Sequence, residues 1–395
     1  MDLRILGVTL PLLAVATAVS LKRKSLGEDW TALLGLVFTL VGDFFLAMRS
    51  APPNSTEFIY GVAGFGMAQL CWIAHFARHR TVPLWEMLLG LLLTFMPYLH
   101  CRVLPHAVGP VGNSMMVYAV LSCLSLSMAM SSRNIFWCLG ISFLFVSDLC
   151  ISASVFVGAP YYGHFIAPLY ILSLLAVTLA ILFPKLSFPP PYQTERGHKV
   201  MLWLSFGLYG IALASFLLAM FHTPSGNYNP LRQMLSYLGR VLVDGVKYPP
   251  CHYLFLAGMT FSALAIAVAT PHYASLAPRR WMGRVAKFAG AINAAGLMSI
   301  ALVPEDVNGL WHVNCCFVAT FGGIGLIAMV WAHRWDWILV GLAGLAGIVF
   351  QVCLHLHSQG RIPFSPAVPT MQKTVIVSFM LWGFCHLVRG LWKPR

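Results

Sequence analysis

Charged residues are scarce in this sequence. Only 9% of its 395 residues are charged, whereas 59% are hydrophobic. A soluble domain has about 25% charged residues, so the composition excludes a soluble globular protein, and the high hydrophobicity excludes a disordered chain. Apolar runs of roughly 20 residues recur along the chain, and they are continuous rather than alternating, which excludes a transmembrane β-barrel. The sequence therefore predicts an all-α polytopic membrane protein.

The apolar runs divide into two groups, a seven-span bundle and a six-span bundle. The segment between them, FPPPYQTERGHK, is rich in proline and polar residues, as linkers are. We therefore predict a seven-span catalytic domain over residues 1–187, a linker over 188–199 and a six-span domain over 200–395. The thirteen or so predicted transmembrane helices cover residues 2–20, 31–48, 58–77, 84–104, 109–130, 135–157, 164–184, 200–221, 251–270, 285–303, 311–332, 335–356 and 372–391.

Lysine and arginine are unevenly distributed between the two ends of these spans. Of the 25 basic residues, 17 fall on one side of the predicted bundle and eight on the other. Because basic residues concentrate on the cytoplasmic side, we expect the N-terminus outside and the C-terminus in the cytoplasm, in a prokaryotic inner membrane to judge from the compact loops. This topology accounts for the net charge of +13 without a nucleic-acid partner.

Acidic residues are the scarcest charged groups, and only two of the twelve lie deep within predicted helices. These two are Asp43 and Asp148, and no intramembrane lysine or arginine is available to neutralise either. Each costs roughly 2.5–3.5 kcal/mol at the centre of a membrane helix, which makes a functional role the default interpretation. The structural alternative is a protonated aspartate that hydrogen-bonds a neighbouring helix.

The two aspartates occupy equivalent positions of a short internal repeat. Phe38–Asp43 reads FTLVGD, and Phe143–Asp148 reads FLFVSD 105 residues later. The offset crosses four predicted spans, so both copies run in the same direction through the membrane, and both carboxyls are expected at similar depth, toward the outer face. We therefore predict a parallel repeat within the seven-span bundle.

A pair of carboxyl groups in an apolar site is suited to acid/base chemistry. Two such groups that lie close together lose their protons at different pH values, so the pair supplies one general acid and one general base at neutral pH. This arrangement favours protonation of one substrate atom and delivery of water to another, for which neither a metal nor another cofactor is required. The sequence contains no GxSxG, P-loop or HExxH motif that would indicate a rival mechanism.

Several segments carry a resemblance to a known family. Leu40–Leu46, the helix Gly64–Phe76, Phe145–Leu149 and the spacing of Pro110-Val111 and Tyr118 between them resemble the YhhN family of lysoplasmalogenase-like membrane hydrolases, over about residues 20–184. The resemblance implies hydrolysis of the vinyl-ether bond of a lysoplasmalogen, a lipid substrate within the membrane, to a fatty aldehyde and a glycerophospho-base. It also implies Asp43 and Asp148 as the catalytic residues, and leaves open which is the acid and which the base.

The sequence departs from the family's pattern at positions that are expected to line a pocket. Gln69 stands where the family usually has histidine, and Trp72 stands where tyrosine is common. Tyr170 with Ser173 represents the usual tyrosine and glutamine of the last span. These departures bear on substrate identity more than on fold, and interhelical hydrogen bonding is an equal alternative for the polar ones. The predicted substrate-binding residues are Gln69, Tyr118, Tyr170, Trp72 and Ser147.

Other functions are compatible with the same carboxyl pair. An acid/base isomerase or cyclase acting on another apolar substrate would use it in catalysis, and a proton-coupled lipid-binding or transport protein would use it to carry protons. The six-span half loosely resembles an uncharacterised membrane family, which assigns it no role. Within that half, the apolar residues of Asn229–Lys247 have a spacing that predicts an amphipathic helix lying in the membrane interface.

Overall fold

A computed structural model of the chain describes residues 6–47, 53–107, 109–159, 162–186, 194–226, 228–230, 232–330, 334–358, 361 and 367–392. Within these ranges it contains thirteen α-helices and one short β-hairpin. The helices are α1 (Leu6–Lys22), α2 (Leu26–Ala47), α3 (Thr56–Arg78), α4 (Trp85–Tyr98, continued by a π-helical turn over Leu99–Val103), α5 (Pro110–Ser132), α6 (Ile135–Val155), α7 (Gly163–Leu182), α8 (Glu195–Phe221), α9 (Pro250–Ser275), α10 (Arg280–Leu302), α11 (Gly309–Met329), α12 (Arg334–Ser358) and α13 (Ala367–Trp392).

The helices have the length and surface of membrane spans. In the described part of the chain, ten are long and apolar enough to cross a membrane, and two shorter apolar helices lie in α1 and α12. Large apolar side chains such as Val117 and Leu345 are more than half exposed, which is expected where the outer face of a helix meets lipid. The predicted fold class, an all-α multi-pass membrane protein, is therefore confirmed.

The helix boundaries agree with the predicted spans to within about five residues. Helix α8 begins inside the predicted linker, because the Thr194 hydroxyl accepts a hydrogen bond from the Gly197 N–H and so caps the helix at Glu195. Residues 188–193, the rest of that predicted linker, lie outside the described residues.

The chain forms two compact units. Unit 1 consists of Met1–Leu88 and Arg102–Pro189, and unit 2 of Leu89–Cys101 and Pro190–Arg395. One unit boundary thus falls within α4, and another falls between α7 and α8. The roles assigned to the two predicted domains stay predictions.

Six helices of unit 1 form a closed ring in the order α1, α2, α3, α5, α6, α7, with α7 returning to α1. The ring contains the predicted parallel repeat as two three-helix copies, α1–α3 and α5–α7. Gly35 lies against Trp72 in the first copy, and Gly140 lies against Val177 in the second. Each residue of the second pair stands 105 positions after its counterpart, so the two copies use the same packing.

Small residues bring α2 and α3 close together beside Asp43. A Cβ atom at Gly64 would overlap the backbone of Gly42, and one at Gly42 would overlap the ring of Phe65. Close backbone approach of this kind is how membrane helices associate through small residues. Because Gly42 immediately precedes Asp43, the contact fixes where the Asp43 side chain enters the ring.

The six helices of unit 2, α8 to α13, also form a closed ring, in chain order and with α13 returning to α8. The part of α4 that belongs to this unit packs on α10, where the Ser299 hydroxyl donates to the Leu93 carbonyl at 3.1 Å. At the end where α9 begins, the ring is covered by residues 232–249, which we call the cap segment.

The prediction of an amphipathic helix over Asn229–Lys247 is wrong. The cap segment instead contains a 3-10 helix over Leu235–Gly239 and a two-stranded hairpin in which Leu242–Val243 pairs with Val246–Lys247. The turn residues Asp244 and Gly245 have φ values of 50° and 79°. Two successive positive φ values suit the tight turn of a hairpin and interrupt an α-helix.

Some of the apolar residues that suggested the amphipathic helix pack inside unit 2. Leu235, Leu238 and Val243 are buried in one of its hydrophobic clusters, whereas Leu242 is 56% exposed. Polar contacts hold the cap segment in place, because the Asp306 carboxylate accepts hydrogen bonds from the backbone N–H groups of Val241 and Leu242 at 3.1 and 2.9 Å. The apolar spacing correctly indicated that part of this segment is buried, but the buried residues pack against protein rather than lipid.

The α2–α3 contact predicts the effect of alanine at Gly64. The added methyl group would meet the backbone of Gly42, and overpacking costs about 1–3 kcal/mol, so we expect the melting temperature in detergent to fall by several degrees for Gly64→Ala. The matched control is Gly66→Ala on the same helix, where the nearest atom would be 4.0 Å from the new Cβ. Thermal denaturation followed by circular dichroism measures both, and equal melting temperatures would contradict the close approach.

Candidate active site

Asp43 on α2 is buried at 1% exposure and is held by hydroxyl groups from two other helices. Its Oδ2 atom accepts a hydrogen bond from the Tyr170 phenol of α7 at 2.7 Å and another from Thr9 of α1 at 3.2 Å. Its Oδ1 atom is also buried and has no hydrogen-bond partner among the described residues. One oxygen of this carboxyl is thus fully engaged by protein, and the other is left for a bound molecule.

Asp148 on α6 is only half-buried and has a different partner. Its Oδ2 atom accepts a hydrogen bond from the Tyr118 phenol of α5 at 2.5 Å. A bond this short is typical of an O–H group that donates to a carboxylate. Both aspartates therefore pair with a tyrosine, although the two tyrosines do not stand at equivalent positions of the repeat.

Tyr170 connects the two aspartate–tyrosine pairs. In addition to its bond to Asp43, its phenol interacts electrostatically with Asp148 and Tyr118. The predicted catalytic residues are therefore brought into one polar region inside the ring of unit 1. In the part of the chain that the structure describes, the ion pairs involve neither carboxyl, so hydroxyl groups are the direct partners of both.

Polar side chains surround the Tyr118 phenol. The side chains of Gln69 and Ser122 form hydrogen bonds with it, and Gln69 is 1% exposed. Gln69 Oε1 nevertheless has no hydrogen-bond partner among the described residues. Because buried polar atoms are nearly always paired, this atom is suited to binding water or the polar part of a substrate.

Two of the predicted substrate-binding residues make contacts other than with the carboxyl pair. The Ser147 hydroxyl donates to the Ile166 carbonyl of α7 at 3.1 Å, so it joins α6 to α7. Trp72 lies against Gly35, which is eight residues and thus about 12 Å before Asp43 along α2. Trp72 packs edge-to-face on Trp137, and the structure does not bring it to the carboxyl pair. A substrate-binding role for Ser147 and Trp72 stays a prediction.

Several polar residues of unit 1 were missed from the sequence. Thr9 holds Asp43, and Ser122 lies beside Tyr118, while Ser125 and Thr178 are buried with hydroxyl groups that have no partner among the described residues. Short hydroxyl side chains are common in membrane helices, so the sequence offers no signal that separates these from the rest. Among the described residues, His, Cys, Asp and Glu form no group of three placed to hold a metal ion.

The comparison with known proteins bears on unit 1. The YhhN family matches residues 3–181, a range that contains both aspartates, both tyrosines and the complete ring of unit 1. No curated protein and no solved structure matches the chain. The part of the chain that forms this ring is therefore similar to the YhhN family.

Proposed function

We propose that the protein is an integral-membrane lipid hydrolase that cleaves the vinyl-ether bond of lysoplasmalogen-like lipids by acid/base catalysis with Asp43 and Asp148. The observation that carries the proposal is the convergence of two phenol-bound carboxyls on one buried polar region of unit 1. The family match supports it, since it fits a lysoplasmalogenase-like membrane hydrolase at the level of the family.

Asp43 is the general acid in this proposal. A neutral carboxylic acid accepts hydrogen bonds at its carbonyl oxygen and donates one from its O–H group. Oδ2 accepts two hydrogen bonds, as a carbonyl oxygen would, whereas Oδ1 has no partner among the described residues. The proton on Oδ1 is directed at a bound molecule and passes to the vinyl carbon that is not bonded to oxygen.

Asp148 is the general base. Its carboxylate is half-buried, which admits water, and the Tyr118 phenol orients one of its oxygens. Protonation of the substrate leaves an oxocarbenium ion, which a nearby carboxylate stabilises through its charge. Asp148 then takes a proton from water as the hydroxyl group adds to the carbon that carries the ether oxygen.

Collapse of the hemiacetal completes the reaction and restores both residues. The hemiacetal O–H proton returns to the Asp43 carboxylate as the carbonyl group of the fatty aldehyde forms. The bond between the hemiacetal carbon and the glycerol oxygen breaks, and that oxygen takes the proton held by Asp148. One water is consumed, and Asp43 is again protonated and Asp148 ionised. In this proposal Gln69 Oε1, which has no partner in the described part of the chain, orients the water.

Removal of either carboxyl is the first test. General acid/base catalysis contributes about 10²–10⁴-fold to rate, so we expect Asp43→Asn and Asp148→Asn each to lower kcat/KM by that factor on lysoplasmenylethanolamine. The measurement is aldehyde release by the purified protein in detergent, with the saturated alkyl-ether analogue as the unreactive substrate. Aldehyde production that survives both substitutions would contradict the catalytic assignment.

The matched control is Asp29→Asn. Asp29 is a second buried carboxyl on α2 and accepts hydrogen bonds from Ser20 and Ser25, which an asparagine oxygen also accepts. We expect the activity of Asp29→Asn to stay near that of the wild type.

The acid and base roles of Asp43 and Asp148 are separated by adding formate to alanine variants. A small carboxylate that replaces a missing base should rescue the activity of Asp148→Ala and not that of Asp43→Ala. Rescue of Asp43→Ala alone would reverse the two roles.

The phenols give a second test. A hydrogen bond to a charged group is worth about 1.5–3 kcal/mol, so we expect Tyr118→Phe to lower kcat/KM roughly tenfold to a hundredfold, with the melting temperature within a few degrees of the wild type. Tyr170→Phe should have a similar effect, because Asp43 becomes ionised as it protonates the substrate and would then keep only the Thr9 hydroxyl as a donor. Wild-type kinetics in both variants would show that the phenols only hold helices together.

A proton-coupled lipid carrier is the second candidate, and the parallel repeat favours it. Two copies of a three-helix unit that run in the same direction through the membrane occur in some transporters, and unit 1 has this arrangement. The same preparations distinguish the candidates. A wild-type protein that releases no aldehyde, but drives pH-dependent lipid movement in liposomes, would replace the hydrolase proposal with the carrier.

A further inference from the structure

The ring formed by α8–α13 in unit 2 lines a partly open cavity. Its length follows from the residues that line it along two helices. On α9 they run from Phe255 to Tyr273, a helical rise of about 27 Å. On α13 they run from Gln372 to Trp382, a rise of about 15 Å. The cavity is therefore elongated along the helices, and its length is comparable to one leaflet of the hydrocarbon core, half of about 30 Å.

The walls of the cavity are mostly apolar. They are formed by aromatic, aliphatic and sulfur-containing side chains such as Phe216, Met259, Leu297 and Phe379. Among the described residues that line it, none is Asp, Glu, Lys or Arg. Binding pockets with walls of this kind hold apolar molecules. A charged ligand group would find no countercharge on these walls.

Polar side chains of the cavity away from the cap segment are already engaged by backbone. The Asn293 amide donates to the Ala319 carbonyl at 2.6 Å, and the Tyr273 phenol donates to the Gly383 carbonyl at 3.2 Å. These contacts satisfy the helices rather than a ligand. This part of the cavity is therefore suited to a hydrocarbon chain.

The end of the cavity under the cap segment is different. Ser236 lines the cavity there, is 4% exposed, and its hydroxyl has no hydrogen-bond partner among the described residues. Gln372 lines the same end, and its Oε1 atom accepts from the Leu235 N–H at 2.9 Å. An unpaired buried hydroxyl costs free energy, and a ligand oxygen would satisfy it.

Cations near this end of unit 2 have partners of their own. Lys373 donates to the Gln233 carbonyl at 2.7 Å, and Arg240 lies 3.3 Å from the Glu305 carboxylate. Neither is among the residues that line the cavity. A phosphate or carboxylate headgroup would therefore be buried here without a charge partner, which is strongly unfavourable.

We propose that unit 2 binds one single-chain lipid whose polar end is small and uncharged, a long-chain alcohol or aldehyde. The chain lies along the ring of α8–α13, and the terminal oxygen forms a hydrogen bond with Ser236 beneath the cap segment. A fatty aldehyde is also the product of the reaction proposed for unit 1, so the site would retain that product. The binding site itself rests on unit 2 alone and does not require the proposed hydrolysis.

Native mass spectrometry of the full-length protein, delipidated in detergent, tests this proposal with hexadecanol as the probe. We expect one hexadecanol per chain, with much weaker binding of octanol, which fills less of the cavity, and of palmitate, which carries a charge. Absence of bound hexadecanol, or palmitate binding as tight as hexadecanol, would overturn the proposal. Hexadecanol should also bind the Asp43→Asn variant, because the cavity lies in unit 2. Binding of hexadecanol therefore tests this proposal independently of the hydrolase proposal.

Two variants locate the site. Met259→Trp places a larger ring in the cavity and should abolish hexadecanol binding, whereas Leu264→Trp, at a position on the same helix that is 42% exposed, should bind as the wild type does. Ser236→Ala removes one hydroxyl without adding volume, and we expect it to weaken hexadecanol binding about threefold to tenfold while leaving binding of hexadecane unchanged. Unchanged hexadecanol binding in both Met259→Trp and Ser236→Ala would overturn the proposal.

Discussion

The hydrogen bonds on Asp43 are the constraint on which the structure of unit 1 depends. A carboxyl group in a membrane helix is expensive unless neighbouring helices satisfy it, and the donors to Asp43 come from α1 and α7, at opposite ends of the unit in sequence. These donors reach α2 because the ring closes, with α7 returning to α1. The close approach of Gly42 and Gly64 then sets the position of Asp43 within the ring. Asp43 therefore obtains both hydrogen-bond donors only when the ring closes.

The two copies of the repeat share a backbone arrangement but differ in the polar groups they carry. Tyr170 stands 105 positions after Phe65, and the two rings pack edge-to-face with centroids 6.0 Å apart. A residue that is apolar in one copy is therefore a phenol in the other. Asp43 is bonded to a phenol of the opposite copy, whereas Asp148 is bonded to a phenol of its own copy. Equivalent acids thus have unequal surroundings, which is what a general acid and a general base require.

The two units use closed helical rings for different chemistry. Inside unit 1 the ring carries carboxyls, phenols and several unpaired hydroxyl groups, so it is suited to a reaction with water. Inside unit 2 the ring encloses a long and largely apolar cavity that ends at one unpaired hydroxyl, so it is suited to a hydrocarbon chain. The cap segment covers one end of the second ring with protein, and Leu235, Leu238 and Val243 are its residues in the hydrophobic cluster there.

The membrane class, the approximate span boundaries, the repeat and the two acids can be read from the sequence, because the energetic cost of polarity in lipid acts on each helix separately. The YhhN resemblance of the first half was likewise readable from its motifs, and the family match confirms it. Contacts in the folded protein are needed to see which tyrosine is bonded to which aspartate, that Thr9 is a partner of Asp43, and that Trp72 lies two helical turns from it. They are also needed to see that residues 232–249 form a hairpin-containing cap and that unit 2 holds a cavity. The physical reason is that these features depend on contacts between helices distant in sequence, whereas hydropathy and periodicity report only the preference of one segment for lipid or protein.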